Sequence, residues 1–197
     1  MAKLFLAACL SPLCAFAQVV CALGPGAAGY KPSADQRPSP DTMQVANRIN
    51  TAMKPICADH CPQLAVFRNA TAANAMLVLD SGQAKLVYSP QFFATAYGAY
   101  GDAGLIAIFA HELGHALDDT LGAAWVNPKW TPEVRADSWA GCILGRMKLK
   151  DADLGSALAA LSKYPAPAHP GWPQRLPPLR AGYSRCGGDV TMFDKKR

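Results

Sequence analysis

Residues 105–118 read LIAIFAHELGHALD, and within them His111, Glu112 and His115 stand at the spacing H-E-x-x-H. Two imidazoles four residues apart on a helix share a face, so both can point at one metal ion. A carboxylate beside the first of them is then placed to take a proton from a water at that ion, which is the chemistry of metal-assisted hydrolysis. The helical setting is encoded in the same stretch, because Leu105, Ile108, Phe109, Leu113, Ala116 and Leu117 recur at helical spacing. Catalytic zinc usually has three protein ligands and an open position, so a third ligand must come from another element.

The candidate lies eighteen residues beyond His115, in Thr131-Pro132-Glu133-Val134-Arg135-Ala136-Asp137. Thr131 suits an N-cap and Pro132 the first helical position, which puts Glu133 in the first turn of a second helix. Asp137 falls one turn later on the same face. Glu133 as ligand, with Asp137 fixing a ligating histidine through its second ring nitrogen, would complete a site for one zinc ion.

HELGH followed by EVRAD resembles the gluzincin metallopeptidases, whose third zinc ligand is a glutamate on a following helix. Within them it is most similar to the HtpX-type heat-shock proteases and the CAAX prenyl endopeptidases. Asn74-Ala75 ahead of a hydrophobic segment is similar to the edge strand that binds substrate backbone in thermolysin and its relatives. His169-Pro170 with Arg175 is similar to the HP-x-x-x-x-R segment of the HtpX group, and the resemblance spans roughly residues 64–180. It implies an α+β, zincin-like fold: a small antiparallel or mixed sheet with its edge strand over the HExxH helix, then the glutamate helix and further helices. It also implies a zinc endopeptidase. His111, His115 and Glu133 would hold the ion, Glu112 would be the general base, Asp137 would orient His111, and Asn74 and Ala75 would bind substrate. His169 would donate to the oxyanion or cover the zinc at rest, with Tyr183, Tyr97 and Tyr100 as rivals. Arg175 could form a salt bridge inside the site or simply anchor its loop, and the anchor is favoured. Unlike the membrane-embedded members, the chain shows no transmembrane helices near the motif.

The elements that must position these residues can be read in chain order. Asp41 would cap a helix with Val45, Ile49 and Met53 on its buried face, stopped by Pro55. Strands are expected at 64–68, 75–79 and 85–88, the last two joined as a hairpin by the turn at 80–83. Ser89-Pro90 would open a short helix ended by Gly98, and Asp102 would cap the metal-binding helix, which should end near Gly122. Another helix is expected at 151–164, buried through Leu154, Leu158 and Leu161, and the six prolines from Pro165 to Pro178 predict an irregular crossing.

Around this domain, set at 41–190, the chain begins with Lys3, an apolar stretch and Ala15-Phe16-Ala17, the anatomy of a secretory signal cleaved after Ala17. Residues 18–40 read as a flexible Gly/Pro-rich lead-in and 191–197 as a basic tail. The expected location is periplasmic or extracellular, with no stable membrane span after signal removal. A lipoprotein is disfavoured, since Cys9 comes too early and Cys21 lacks a preceding small residue. Outside the signal the cysteines are Cys21, Cys57, Cys61, Cys142 and Cys186, and export makes disulfides the default. The preferred pairs are Cys57 with Cys61 and Cys142 with Cys186, although connectivity does not follow from sequence. Asn69-Ala70-Thr71 has the form of a glycosylation sequon. Losing Lys3 takes the net charge from +5 to +4, and no basic stripe is interleaved with aromatics, which argues against nucleic acid. The expected partner is a peptide or unfolded protein substrate. The alternative is a catalytically silent zinc-binding module or assembly factor on the same fold, against which Glu112 speaks, since a binder needs only the ligands. A zinc amidase acting on cell-wall peptides would share the metal chemistry.

Overall fold

The structure, a computed structural model, describes residues 18–22, 29–62, 65–80, 83–164 and 169–194. The expected signal with Cys9, the prolines at 165 and 167, and the basic cluster Lys195–Arg197 lie outside the described residues.

Ser39, not Asp41, caps the first helix, α1 (Pro40–Cys57), its hydroxyl accepting from the N–H of Thr42, with Pro40 at the first position. Pro55 does not stop α1, which continues to Cys57. Ending there is a matter of covalent and backbone geometry: Ala58 takes φ 46° and Cys57 is bridged to Cys61. β2 (Ala65–Arg68), β3 (Ala75–Asp80) and β4 (Gln83–Tyr88) form a mixed sheet in which β2 runs parallel and β3 antiparallel to β4. A further strand, β1 (Gln18–Ala22), pairs antiparallel with the outer edge of β3, giving the order β1-β3-β4-β2. Successive residues of a strand face opposite sides. Ala75 and Leu77 therefore join the main core under the helices, while Met76 and Val78 join a smaller cluster with Ala72 and Val87 on the far face.

That far face explains why part of the expected flexible lead-in is structured. Tyr30 packs on the small cluster and its hydroxyl donates to Asp35. Asn69 ties the same segment down, its amide donating to Lys31 O (2.9 Å) and Asp35 Oδ1 (2.8 Å) while its carbonyl oxygen accepts from the Thr71 N–H (2.8 Å). The sequon asparagine is thus buried and committed to structural bonds.

α2 (Pro90–Leu121) is where expectation and structure differ most in outline. Gly98 stays helical, and the break comes at Gly101, whose φ of 62° is accessible to a residue without Cβ. Beyond it, residues 103–117 are buried almost without exception, before Gly122 closes the helix in the left-handed conformation. By length and composition α2 could cross a membrane, yet it is the central helix of the core. α3 (Pro132–Met147) crosses it, α4 (Asp151–Lys163) packs on it, and α5 (Trp172–Arg185) lies along α3. α5 replaces the second half of the expected irregular crossing: Pro173 occupies its first turn, and Pro177 and Pro178 are tolerated inside it. The compensation is intimate packing, for a Cβ on Gly182 would collide with the carbonyl of Ser138 in α3, and one on Gly141 with that of Leu179 in α5. α6 (Thr191–Asp194) closes the described chain, Arg180 pairing with Asp194 where only a basic tail is expected. Disulfides join Cys57 to Cys61 and Cys142 to Cys186, the expected pairs.

Candidate metal centre

Two helices bring the centre together. α2 turns His111 and His115 toward α3, whose first turn carries Glu133, and the ligand atoms of these three all lie within 4.8 Å of one another, while Glu112 reaches β3. Thr131 stands at the N-cap of α3 without a side-chain hydrogen bond to it, so Pro132 and the first-turn carboxylate define that helix start. The approach of the two helices depends on Gly114, between Glu112 and His115, because a Cβ there would meet the backbone of Ala136 at 2.5–3.1 Å. The small residue in HELGH is therefore what lets the two ligand-bearing helices touch.

The polar atoms fit a cation. His111 Nδ1–H donates to Asp137 Oδ1 at 2.9 Å, which turns Nε2 toward the centre. Nε2 of His111 and Nε2 of His115 stand 3.3 and 3.5 Å from Glu133 Oε2. Both nitrogens are buried without a hydrogen-bond partner, as is Glu112 Oε1. Buried polar atoms are normally paired, and two imidazole nitrogens without a partner converging on a carboxylate match what a divalent ion would satisfy. A buried His111, His115 and Glu133 group can hold a metal ion.

Protonation in the ion-free chain follows from the same geometry. Burial disfavours the His111 imidazolium, but Asp137, Glu133 and Glu112 prevail and lift it to about 9. Burial pushes Glu112 up to about 8, partly offset by His111. Burial lowers His115. Glu133, although burial raises it, is held well below the usual carboxylate range by His111, His115 and His169.

Around the ligands, the expected residues take up distinct places. Asp137 is wholly buried and accepts from His111 and twice from Arg175, at 2.8 Å each. Arg175 is thus part of the site's support and not only a loop anchor; its remaining nitrogen donates to Leu161 O at 3.0 Å, which ties α4 and α5 to the centre. The salt bridge inside the site prevails over the loop anchor because the segment around Arg175 is a helix, which aims its guanidinium at Asp137. His169 is at the centre, its side chain fully buried, its Nε2 against Glu133 Oε2 and its ring edge-on to that of His111. The rival tyrosines are engaged elsewhere or exposed: Tyr183 donates to Met192 Sδ, Tyr100 packs on Tyr164, and Tyr97 is exposed. Ala75 opens β3 and Asn74 immediately precedes it, both buried, with Asn74 Oδ1 unpaired. The β3 group that reaches Glu112 is the N–H of Leu77, donating to Oε2 at 2.9 Å, a contact that no residue pattern announces because any residue there would supply it.

No protein-family model, no curated protein and no solved structure matches this chain.

Proposed function

We propose that the chain is an exported zinc-dependent endopeptidase of the gluzincin type. The observation that carries this reading is the state of Glu112, which is wholly buried between a histidine ligand and a strand, anchored through one oxygen by Leu77 N–H and unpaired at the other. A site that only held a metal would have no use for a desolvated carboxylate aimed beside it. His111, His115 and Glu133 would hold the zinc, which when bound supplies Lewis acidity toward water and the scissile carbonyl. Glu112 Oε1 accepts the proton of the attacking water and delivers it to the leaving amine, while Leu77 N–H keeps Oε2 in place. Asp137 and Arg175 hold the His111 ring in orientation. His169 is the imidazole beside the cluster and is assigned the oxyanion. The two disulfides are consistent with an oxidising compartment.

The test is cleavage of casein or a peptide library by the purified chain, with Glu112→Gln in parallel and zinc measured on both. The proposal expects about one zinc per chain in each protein, and a loss of turnover of roughly a hundredfold to ten-thousandfold in the variant, the usual contribution of a general base. Full zinc with no cleavage by the parent across the library would favour the silent binding module.

A further inference from the structure

The chain carries its own extended segment along the strand next to Glu112. β1 runs antiparallel to β3, with Gln18 opposite Leu79, Val19 opposite Val78, Cys21 opposite Leu77 and Ala22 opposite Met76. It also lies against α2. The register slips between Val19 and Cys21, so Val20 is an extra residue in the ladder. This slip falls opposite Val78 and Leu77, at the point where the Leu77 N–H is drawn out of the ladder to the Glu112 carboxylate. β1 therefore pairs with the very stretch of β3 whose Leu77 N–H holds the candidate base.

We infer that β1 is an exchangeable occupant of the outer edge of β3, so that an extended peptide enters there by displacing the chain's own first strand. The inference rests on the endopeptidase reading for its functional meaning, although the docking itself does not need turnover. Three features make β1 replaceable. It is five residues long and sits at the end of the sheet. A bulge interrupts its few ladder bonds. Strand addition relies on main-chain hydrogen bonds, so a second extended chain of different sequence can form the same ladder. By contrast, β3 is bonded along all six residues to β4, from Ala75 opposite Tyr88 to Asp80 opposite Gln83, and so persists when β1 leaves. Short terminal elements of this kind open at the low end of a protein's local stability.

The test compares the full chain with Val19→Pro/Val20→Pro, since proline removes ladder donors. A second variant replaces Gln18–Ala22 by Gly-Ser-Gly-Ser-Gly, which keeps the donors but not the strand preference. Hydrogen exchange should become at least tenfold faster in both variants at the amide of Leu79, which faces β1, and stay unchanged at Met76 and Val78, which face β4, and at Leu86 and Val87. A labelled peptide Gln-Val-Val-Ser-Ala, followed by fluorescence anisotropy, should bind the variants at least tenfold more tightly than the parent. Peptide cleavage by the variants should rise at least tenfold in kcat/KM. Unchanged protection of the Leu79 amide, or equal peptide binding by parent and variants, would overturn the inference. So would a parent that already cleaves at the variants' rate. Faster exchange and peptide capture with no cleavage by any of the chains would uphold the docking surface and sink the endopeptidase reading instead.

Discussion

Asp137 shows how much of the centre depends on one buried carboxylate. It neutralises Arg175 and orients His111, and burial, which alone would raise its pKa, is outweighed by those two cations. A folded-state pKa below the unfolded one stabilises the fold above about pH 4 and loses that contribution as pH falls through the depressed value. Asp137→Asn should therefore flatten the acid limb of the stability curve. It should also cost about 3–5 kcal/mol at neutral pH, because Arg175 is left buried without its anion. Metal affinity should drop roughly tenfold to a hundredfold, as competition with a chelator would show. His111 makes a separate prediction. With its ion-free pKa near 9, it must lose a proton before its Nε2 can ligate, so zinc affinity should rise by up to about tenfold per pH unit from pH 7 to 9 and level off above. A flat profile over that range would mean that His111 is already neutral.

Between elements, the decisive contact is that of α2 with α3. Gly114 lets the helix carrying the two histidines approach the backbone of Ala136, one residue before Asp137. Gly114→Ala places a methyl group against backbone that cannot step aside cheaply, and it should destabilise the fold by about 1–3 kcal/mol in thermal unfolding. Its sharper signature is functional. By displacing Glu133 relative to His111 and His115 it should weaken zinc binding at least tenfold, although the added methyl group meets only the backbone of Ala136. Unaltered zinc affinity in a folded Gly114→Ala chain would show that the centre tolerates movement of α3. The α3–α5 contact through Gly141 and Gly182 works in the same way at the back of the site, where it sets the position of Arg175.

At the scale of the whole molecule, the two disulfides are unequal. Cys142–Cys186 closes a separation of 44 residues and joins α3 to the end of α5, whereas Cys57–Cys61 closes a separation of only 4. Loop-closure entropy then assigns about 4 kcal/mol to the first and about 2 kcal/mol to the second. Replacing Cys142 and Cys186 by serine should lower Tm about twice as far as the same change at Cys57 and Cys61. It should also loosen zinc, since the helix that carries Arg175 is held to α3 by that bond. Equal losses of Tm would indicate that residual structure in the unfolded chain, and not loop length, sets the difference.

Much of this was legible from residue types alone. His111, Glu112, His115, Glu133 and Asp137 sit on helices whose apolar period and caps are local properties, so their spacing along the chain translates directly into shared faces. Three of the sheet's four described strands, the end of α2 at Gly122 and the two cysteine pairs are readable on similar grounds. What spacing does not carry is the result of approach between segments distant in sequence. Pro55, Pro177 and Pro178 sit inside helices because tertiary packing and the Cys57–Cys61 bond outweigh a local preference against them. Gly114 matters for the carbonyl it meets, Arg175 for the buried carboxylate it reaches, and Leu77 for a backbone N–H that has no residue signature. The strand at Gln18–Ala22 is the extreme case: Gly, Pro and Ser around it suggest a loose lead-in, and it becomes a strand only because β3 offers an open edge to pair with.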